Sequence, residues 1–254
     1  MNLVKLHIKE NLNKSSFFIF AIIGILITAF VASSVSFSAP GVNTDSTYGQ
    51  YAVSFTITNM IGALAAVTLS MGSFNKHLDS GLVDILRVHG KSLDKQTNDI
   101  IKADVLISLI MGLMLLIGMI INVFINRPEI SIGGFLLAIV IFMLAIVMAS
   151  LLMAVFNLIF APAPAALFGV FFILVGSMRE IFRFLVEMSG GTFGKVMSSI
   201  INIFPPISIL GEIERDLFFG TYNDYKNLIA VLIYLWVLIG TLYLVKKWRV
   251  SREK

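Results

Sequence analysis

The chain has 254 residues, of which 57% are apolar and only 13% charged, with a formal net charge of +4 and no cysteine. A soluble domain of this length has too little interior to hide that much hydrocarbon, so a soluble globular fold is excluded. Disulfides, thiol catalysis and cysteine-ligated metals are excluded as well. The apolar runs exceed the ~20 residues that a membrane-crossing helix needs, and far exceed the ~10-residue alternating strands of an outer-membrane barrel. The expected class is therefore an all-α integral membrane protein, with residues 1–254 forming one membrane domain. Its basic residues flank the apolar runs, so they speak of orientation in a bilayer rather than of nucleic-acid binding.

Residues 1–14 carry Val4, Ile8 and Leu12 at four-residue spacing, with Leu3 beside them and Lys5, Lys9 and Lys14 elsewhere around the helix. Two readings fit: an interfacial helix with its stripe toward lipid and its lysines toward anionic headgroups, or a basic flank that only sets topology. Six spans are expected near 16–37, 51–74, 103–125, 132–160, 163–186 and 227–245. The first run is too long for a cleavable signal and has no small-residue cleavage site leading into a soluble domain. The stretch Ala161-Pro162-Ala163-Pro164 ends the fourth span, because proline lacks an N–H and restricts the residue before it.

Orientation follows from the flanking cations. The N-terminal segment, the loop after the second span (Lys76, Arg87, Lys91, Lys95 and Lys102) and the tail (Lys246, Lys247, Arg249, Arg252 and Lys254) hold thirteen, against six on the alternate side. Both termini and the loop are expected on the cytoplasmic side of a cell membrane, which is expected to be bacterial.

That loop contains "RVHGKS", which ends like a phosphate-binding P-loop. A P-loop needs G-x-x-x-x-G-K-[ST], and its first glycine would fall at Ile85, so the motif is an accident. The segment reads instead as a short helix over 79–90. Asp79 or Ser80 offers an N-cap, and Gly90 suits the left-handed position past the helix end. Leu82, Ile85 and Leu86 form an apolar ridge with Val83 and Val88 nearby, among Asp84, Arg87 and His89. A second helix start is expected at Ser92 or Asp94. Such a short helix is marginal in water and needs something to pack on. It either folds back onto its own spans or docks into a groove on another protein.

Residues 187–226 are neither a clean span nor an ordinary loop. Ser189-Gly190-Gly191-Thr192-Phe193-Gly194 breaks the fifth run, Val196 to Phe204 is apolar, and Pro205-Pro206 precedes an amphipathic piece with Ile209, Leu210, Ile213, Leu217 and Phe218. Two helices dipping into the outer leaflet fit this pattern, as does a folded extracellular cap. Just before it, Arg179, Glu180, Arg183 and Glu187 stand at helical spacing and can pair along one face. They form either a structural charge network at the top of the fifth span or the lining of an exit path.

The other spans are expected to lack Asp, Glu, His, Lys and Arg altogether, unlike the midplane sites of ion-coupled carriers. His7, His77 and His89 fall in the flanks and are too scattered to argue for zinc. No nucleophile with a base is apparent, so the chain is not expected to be an enzyme by itself.

The pattern "DSGLVDILRVHGKSLDKQTNDIIKADVLISLI" resembles the loop between spans two and three of type-2 ABC exporter permeases. In that family a leucine-rich short helix is followed by a turn and a polar run with a lysine opening the third span, and the short helix is the coupling helix, seated on a separate ATPase subunit. The matching positions are Leu82 to Val88 for the helix, Gly90 for the turn and Lys102 for the entrance to the third span. The family often has proline near the turn, where this chain has Val-His-Gly. The resemblance implies an N-terminal interfacial helix, six spans, both ends inside, and re-entrant extracellular helices between spans five and six. It also implies a second permease copy or paralogue, two ATPase copies carrying the ATP and Mg, and no cofactor on this chain. Similar small permeases export antimicrobial peptides, bacteriocins or phenol-soluble modulins, or confer immunity to them. Phe142, Met143, Phe171 and Phe172 exemplify the aromatic and methionine side chains of the interior, most of them expected to face lipid or pack rather than to contact cargo, though flexible methionine surfaces suit amphipathic cargo.

Overall fold

Prolines and glycines divide the apolar runs into helices of unequal length, and these lengths decide which can cross a bilayer. The computed structural model describes residues 3–31, 47–79, 81–189, 191–223 and 225–252. The end of the expected first span, 32–37, lies outside the described residues. In chain order the helices are α1 (Leu3–Leu12), α2 (Ser15–Leu26), α3 (Thr47–Ser70), α4 (Ser73–Asp79), α5 (Leu82–Val88) and α6 (Leu93–Asn126). They continue with α7 (Ile132–Ile159), α8 (Pro162–Ser177), α9 (Arg179–Ser189), α10 (Gly191–Ile201), α11 (Ile207–Phe218) and α12 (Tyr225–Arg252). Among the described residues there is no strand.

Four helical stretches, Val53–Leu78, Leu93–Asn126, Ile132–Ile159 and Tyr225–Arg252, are long and apolar enough to cross a membrane. Helices α1 and α2 make a further candidate if taken together, bent by 63° between Leu12 and Ser15. Helix α8 is shorter than the sequence suggests. In place of the expected span 163–186, α8 has Pro162 in its first turn, where its missing N–H costs nothing, and is interrupted at Met178. Its 16 residues reach only ~24 Å, against a hydrocarbon core of ~30 Å. Helix α6 errs the other way: 34 residues extend ~50 Å, so one end must project beyond the hydrocarbon.

The core is built around α7. Its Phe142, Ala145, Ile146, Met148, Ala149 and Met153 are fully buried against α3, α6, α8, α11 and α12. Small residues let helices approach closely, as in other membrane bundles. A Cβ added to Gly211 of α11 would stand 2.7 Å from Thr56 Oγ1 and 3.0 Å from its backbone nitrogen on α3. Buried asparagines satisfy the backbone where helices break. Helix α2 loosens into a π-helical stretch over Ile27–Val31, and Asn122 of α6 donates to Ala29 O at 3.2 Å. At the end of α3 the chain turns through Gly72 with φ +67°, and Asn157 of α7 donates to Ser70 O at 2.6 Å while accepting from Gly72 N at 3.1 Å.

The amphipathic stripe of α1 turns toward protein. Leu3 is buried with Phe74, Leu86, Ile100 and Leu158, and Ile8 and Leu12 pack near Phe17, Leu69 and Ile107. Lys5 and Lys9 stay exposed on the far side.

Candidate docking site at the base of the bundle

The projecting first turns of α6 form a platform on which α4 and α5 are fixed. Gly81 enters α5 with φ +68°, a conformation that a side chain would oppose. The end of α5 is a Schellman turn: Lys91 N donates to Leu86 O at 2.9 Å, Gly90 N to Arg87 O at 2.9 Å, and Gly90 has φ +78°. Ser92 then caps α6, its hydroxyl accepting from Lys95 N at 3.4 Å. The Lys91 ammonium is paired with Asp99 at 2.8 Å. All three residues of the false P-loop ending, Gly90, Lys91 and Ser92, are thus occupied by the turn. Of the two expected starts of α6, Ser92 is the one used; Ser80 lies outside the described residues, as does the side chain of Asp79.

Gln96 holds the assembly together. Fully buried on α6, it donates to Lys91 O at 2.9 Å and to Val83 O at 3.3 Å, and its amide oxygen is 2.7 Å from His77 Nε2 on α4. One side chain therefore joins α4, α5, the turn and α6. Lys246 at the end of α12 reaches the same platform, 3.0 Å from Asp94 and 3.0 Å from Asn98.

This fixing sorts the apolar ridge into two faces. Val83 and Leu86 are each 5% exposed and face the chain's own core, whereas Ile85 is 56% and Val88 87% exposed. Leu82 is half-buried. The ridge of Leu82, Ile85 and Leu86 expected to act as one surface is split: Leu86 belongs to the base of the bundle. The outward surface consists of Ile85, Val88, the exposed pair Asp84–Arg87 at 3.7 Å, and His89, whose Nδ1 lies 2.7 Å from Ile85 O. Lys102 is exposed on α6.

The second set of residues singled out by sequence lies at the other end. Arg179 donates to Asn202 in the turn after α10, and Arg183 is exposed. The side chains of Glu180 and Glu187 lie outside the described residues, and with them the expected pairing. Arg179 and Asn202 stand at the edge of a cavity of about 640 Å³ between α7, α8 and α12, lined by Phe156, Phe172, Tyr234 and Leu238. Phe172 reaches this cavity, Phe142 is core, and Phe171 is half-exposed.

Two buried carboxyls fall outside the expected sites. Asp104, three turns into α6, is a correction to the expectation that spans other than the fifth lack ionisable groups. It is buried and accepts from Ser73 Oγ at 2.5 Å. The signal was present: Ile100, Asp104, Ile107 and Met111 recur at helical spacing on the buried face of α6. Glu214, in α11, is fully buried and accepts from Asn59 Nδ2 of α3 at 2.8 Å. Its neighbours Glu212, Arg215 and Asp216 are charged too, so the sequence gives no means of choosing the buried one.

These features define an all-helical chain with several apolar helices of membrane-crossing length, the make-up of a membrane protein. No protein-family model matches the chain, and no curated protein matches it.

Proposed function

We propose that this chain is the membrane-embedded permease subunit of a type-2 ABC exporter. What supports the reading is α5: a seven-residue helix, tied through Gln96 to α4, α6 and the following turn, that presents Ile85 and Val88 outward from the base of the bundle. An apolar tip with no lipid-length run around it suits a pocket on another protein. In this reading α5 is the coupling helix and seats on an ATPase subunit, which supplies the ATP, Mg and phosphate-binding loop. Two ATPase copies serve a dimer of this chain or a pair with a paralogue.

The body then crosses the membrane six times, through α2, α3 with α4, α6, α7, α8 with the start of α9, and α12. Both ends are cytoplasmic in a bacterial cell membrane, α1 lies along the inner surface, and α10 and α11 dip into the outer leaflet. ATP-driven closure of the ATPases moves α5, and the Gln96 bracing carries that movement into α4 and α6. The cargo is an amphipathic or hydrophobic peptide. The cavity beside Phe156, Phe172 and Tyr234, mostly apolar with Arg179 at its edge, suits such a molecule better than a sugar or an ion.

Reconstitution in vesicles with a genomically adjacent ATPase tests this: peptide-stimulated ATP hydrolysis and ATP-dependent peptide uptake into inverted vesicles are expected. ATPase activity indifferent to the permease would end the proposal. A second reading, an ion-coupled carrier with no ATPase, draws on the buried Asp104. Transport driven by an ion gradient alone would favour it.

A further inference from the structure

Beside the platform, where α1 meets the end of α3 and the start of α4, lies a cavity of about 260 Å³. Its wall brings together Lys14, Lys76, His7, His77 and Asn11, with Glu10 as its one acid. The two imidazole rings have centroids 6.0 Å apart. Lys14 donates to Asn11, yet among the described residues neither Lys14 nor Lys76 forms a salt bridge with a carboxylate. Asp104 lies beneath, engaged by Ser73.

Its position is at the polar boundary of the apolar helices. The apolar helix α2 starts just after Lys14, and α3 ends just before the Gly72 turn. Leu6 and Met71 line the cavity and are 40% and 41% exposed. An occupant therefore meets cations and imidazoles at one end and open apolar surface at the other.

Burial and the neighbouring cation act against the Lys14 charge, while Glu10 and Asp104 favour it. Burial lowers the Lys14 ammonium below its usual range, and the neighbouring Lys76 lowers it further. Burial likewise lowers the His7 imidazole, which makes it a neutral hydrogen-bonding group. An anion seated between Lys14 and Lys76 removes that repulsion and gains charge-assisted hydrogen bonds from both. Basic pockets between membrane helices on the side rich in lysine hold lipid headgroups in this way.

We propose that this cavity binds a glycerol phosphate ester, with the phosphate between Lys14 and Lys76. An anionic phospholipid and a soluble glycerol phosphate share that chemistry, and the exposed apolar surface at the mouth favours the lipid. The site does not depend on the exporter reading.

Native mass spectrometry of the full-length protein in a zwitterionic detergent tests it, with phosphatidylglycerol, phosphatidylcholine and soluble glycerol phosphate as probes. One phosphatidylglycerol per chain should be retained under conditions that strip phosphatidylcholine. Failure of millimolar glycerol phosphate to displace it assigns the site to lipid, and displacement assigns it to the soluble ester. Lys14→Gln with Lys76→Gln should weaken retention about tenfold or more, the scale of two interfacial cations. Lys14→Arg with Lys76→Arg should retain the lipid, and Lys9→Gln, on the exposed face of α1, should leave it unchanged. If the double glutamine variant fails to fold, Lys76→Gln alone carries the same expectation, because that side chain is exposed. Equal retention of phosphatidylcholine, or a glutamine variant that binds as well as the parent, would overturn the site.

Discussion

Asn59 Nδ2 on α3 donates to Glu214 Oε1 on α11 at 2.8 Å, across 155 residues of chain, with both side chains fully buried. The remaining oxygens, Asn59 Oδ1 and Glu214 Oε2, are buried without another partner. A protonated Glu214 can donate to Asn59 and satisfy both, whereas a carboxylate can only accept. The pair fastens α11 to α3 where Gly211 lets the two helices touch.

A pH dependence follows from this pair. Burial raises the Glu214 carboxyl well above the usual glutamate range, more than the Asn59 bond lowers it. The fold therefore favours the neutral acid. Its contribution to stability is full below the ordinary glutamate value of ~4.3 and is lost as pH rises through the elevated folded value. Thermal unfolding in detergent should show Tm falling over that interval, and Glu214→Gln should flatten the dependence. Glu214→Leu should cost about 1–3 kcal/mol at low pH by leaving the Asn59 amide unpaired, and the cost should shrink as pH rises through the elevated folded value.

The two faces of α5 predict opposite outcomes for neighbouring substitutions. Ile85→Glu and Val88→Glu fall on exposed positions, so Tm should change by no more than about 0.5 kcal/mol equivalent. In the exporter proposed above, copurification of an ATPase should nevertheless be lost. Leu86→Glu places a charge among Leu3, Phe74, Ile100 and Leu158 and should lower Tm sharply whether or not an ATPase is present. Undiminished ATPase binding by the Ile85 and Val88 variants would remove α5 as the docking helix.

Gln96 offers a test of rigidity. Gln96→Leu keeps the volume and removes hydrogen bonds to Val83 O, Lys91 O and His77. Loss of these buried bonds should destabilise the base by about 1–3 kcal/mol. Amide exchange over 82–91 should speed up while that of α7 stays slow, and in the exporter ATP hydrolysis should uncouple from uptake. Unchanged exchange over α5 would show that other contacts brace the helix.

Asp104 separates the two transport readings. Asp104→Asn preserves an acceptor for Ser73 Oγ but cannot ionise. For an ATP-driven exporter, vesicle uptake should stay within about twofold of the parent. For an ion-coupled carrier, gradient-driven uptake should vanish. Vesicle flux with and without an imposed proton gradient distinguishes them.

The sequence by itself determined what depends on nearest neighbours. Apolar runs longer than a bilayer made helices of membrane-crossing length. Gly90 stopped α5 because only glycine easily takes its positive φ, and Ser92 started α6 because its hydroxyl reaches Lys95 N. Tertiary structure decided the rest, because facing is a property of partners distant in the chain. Leu86 and Ile85 are adjacent and both apolar, yet only contact with Leu3 and Leu158 turns one inward and leaves the other as a surface. Asp104 and Glu214 are buried for the same reason: Ser73 and Asn59 receive them, 31 and 155 residues away.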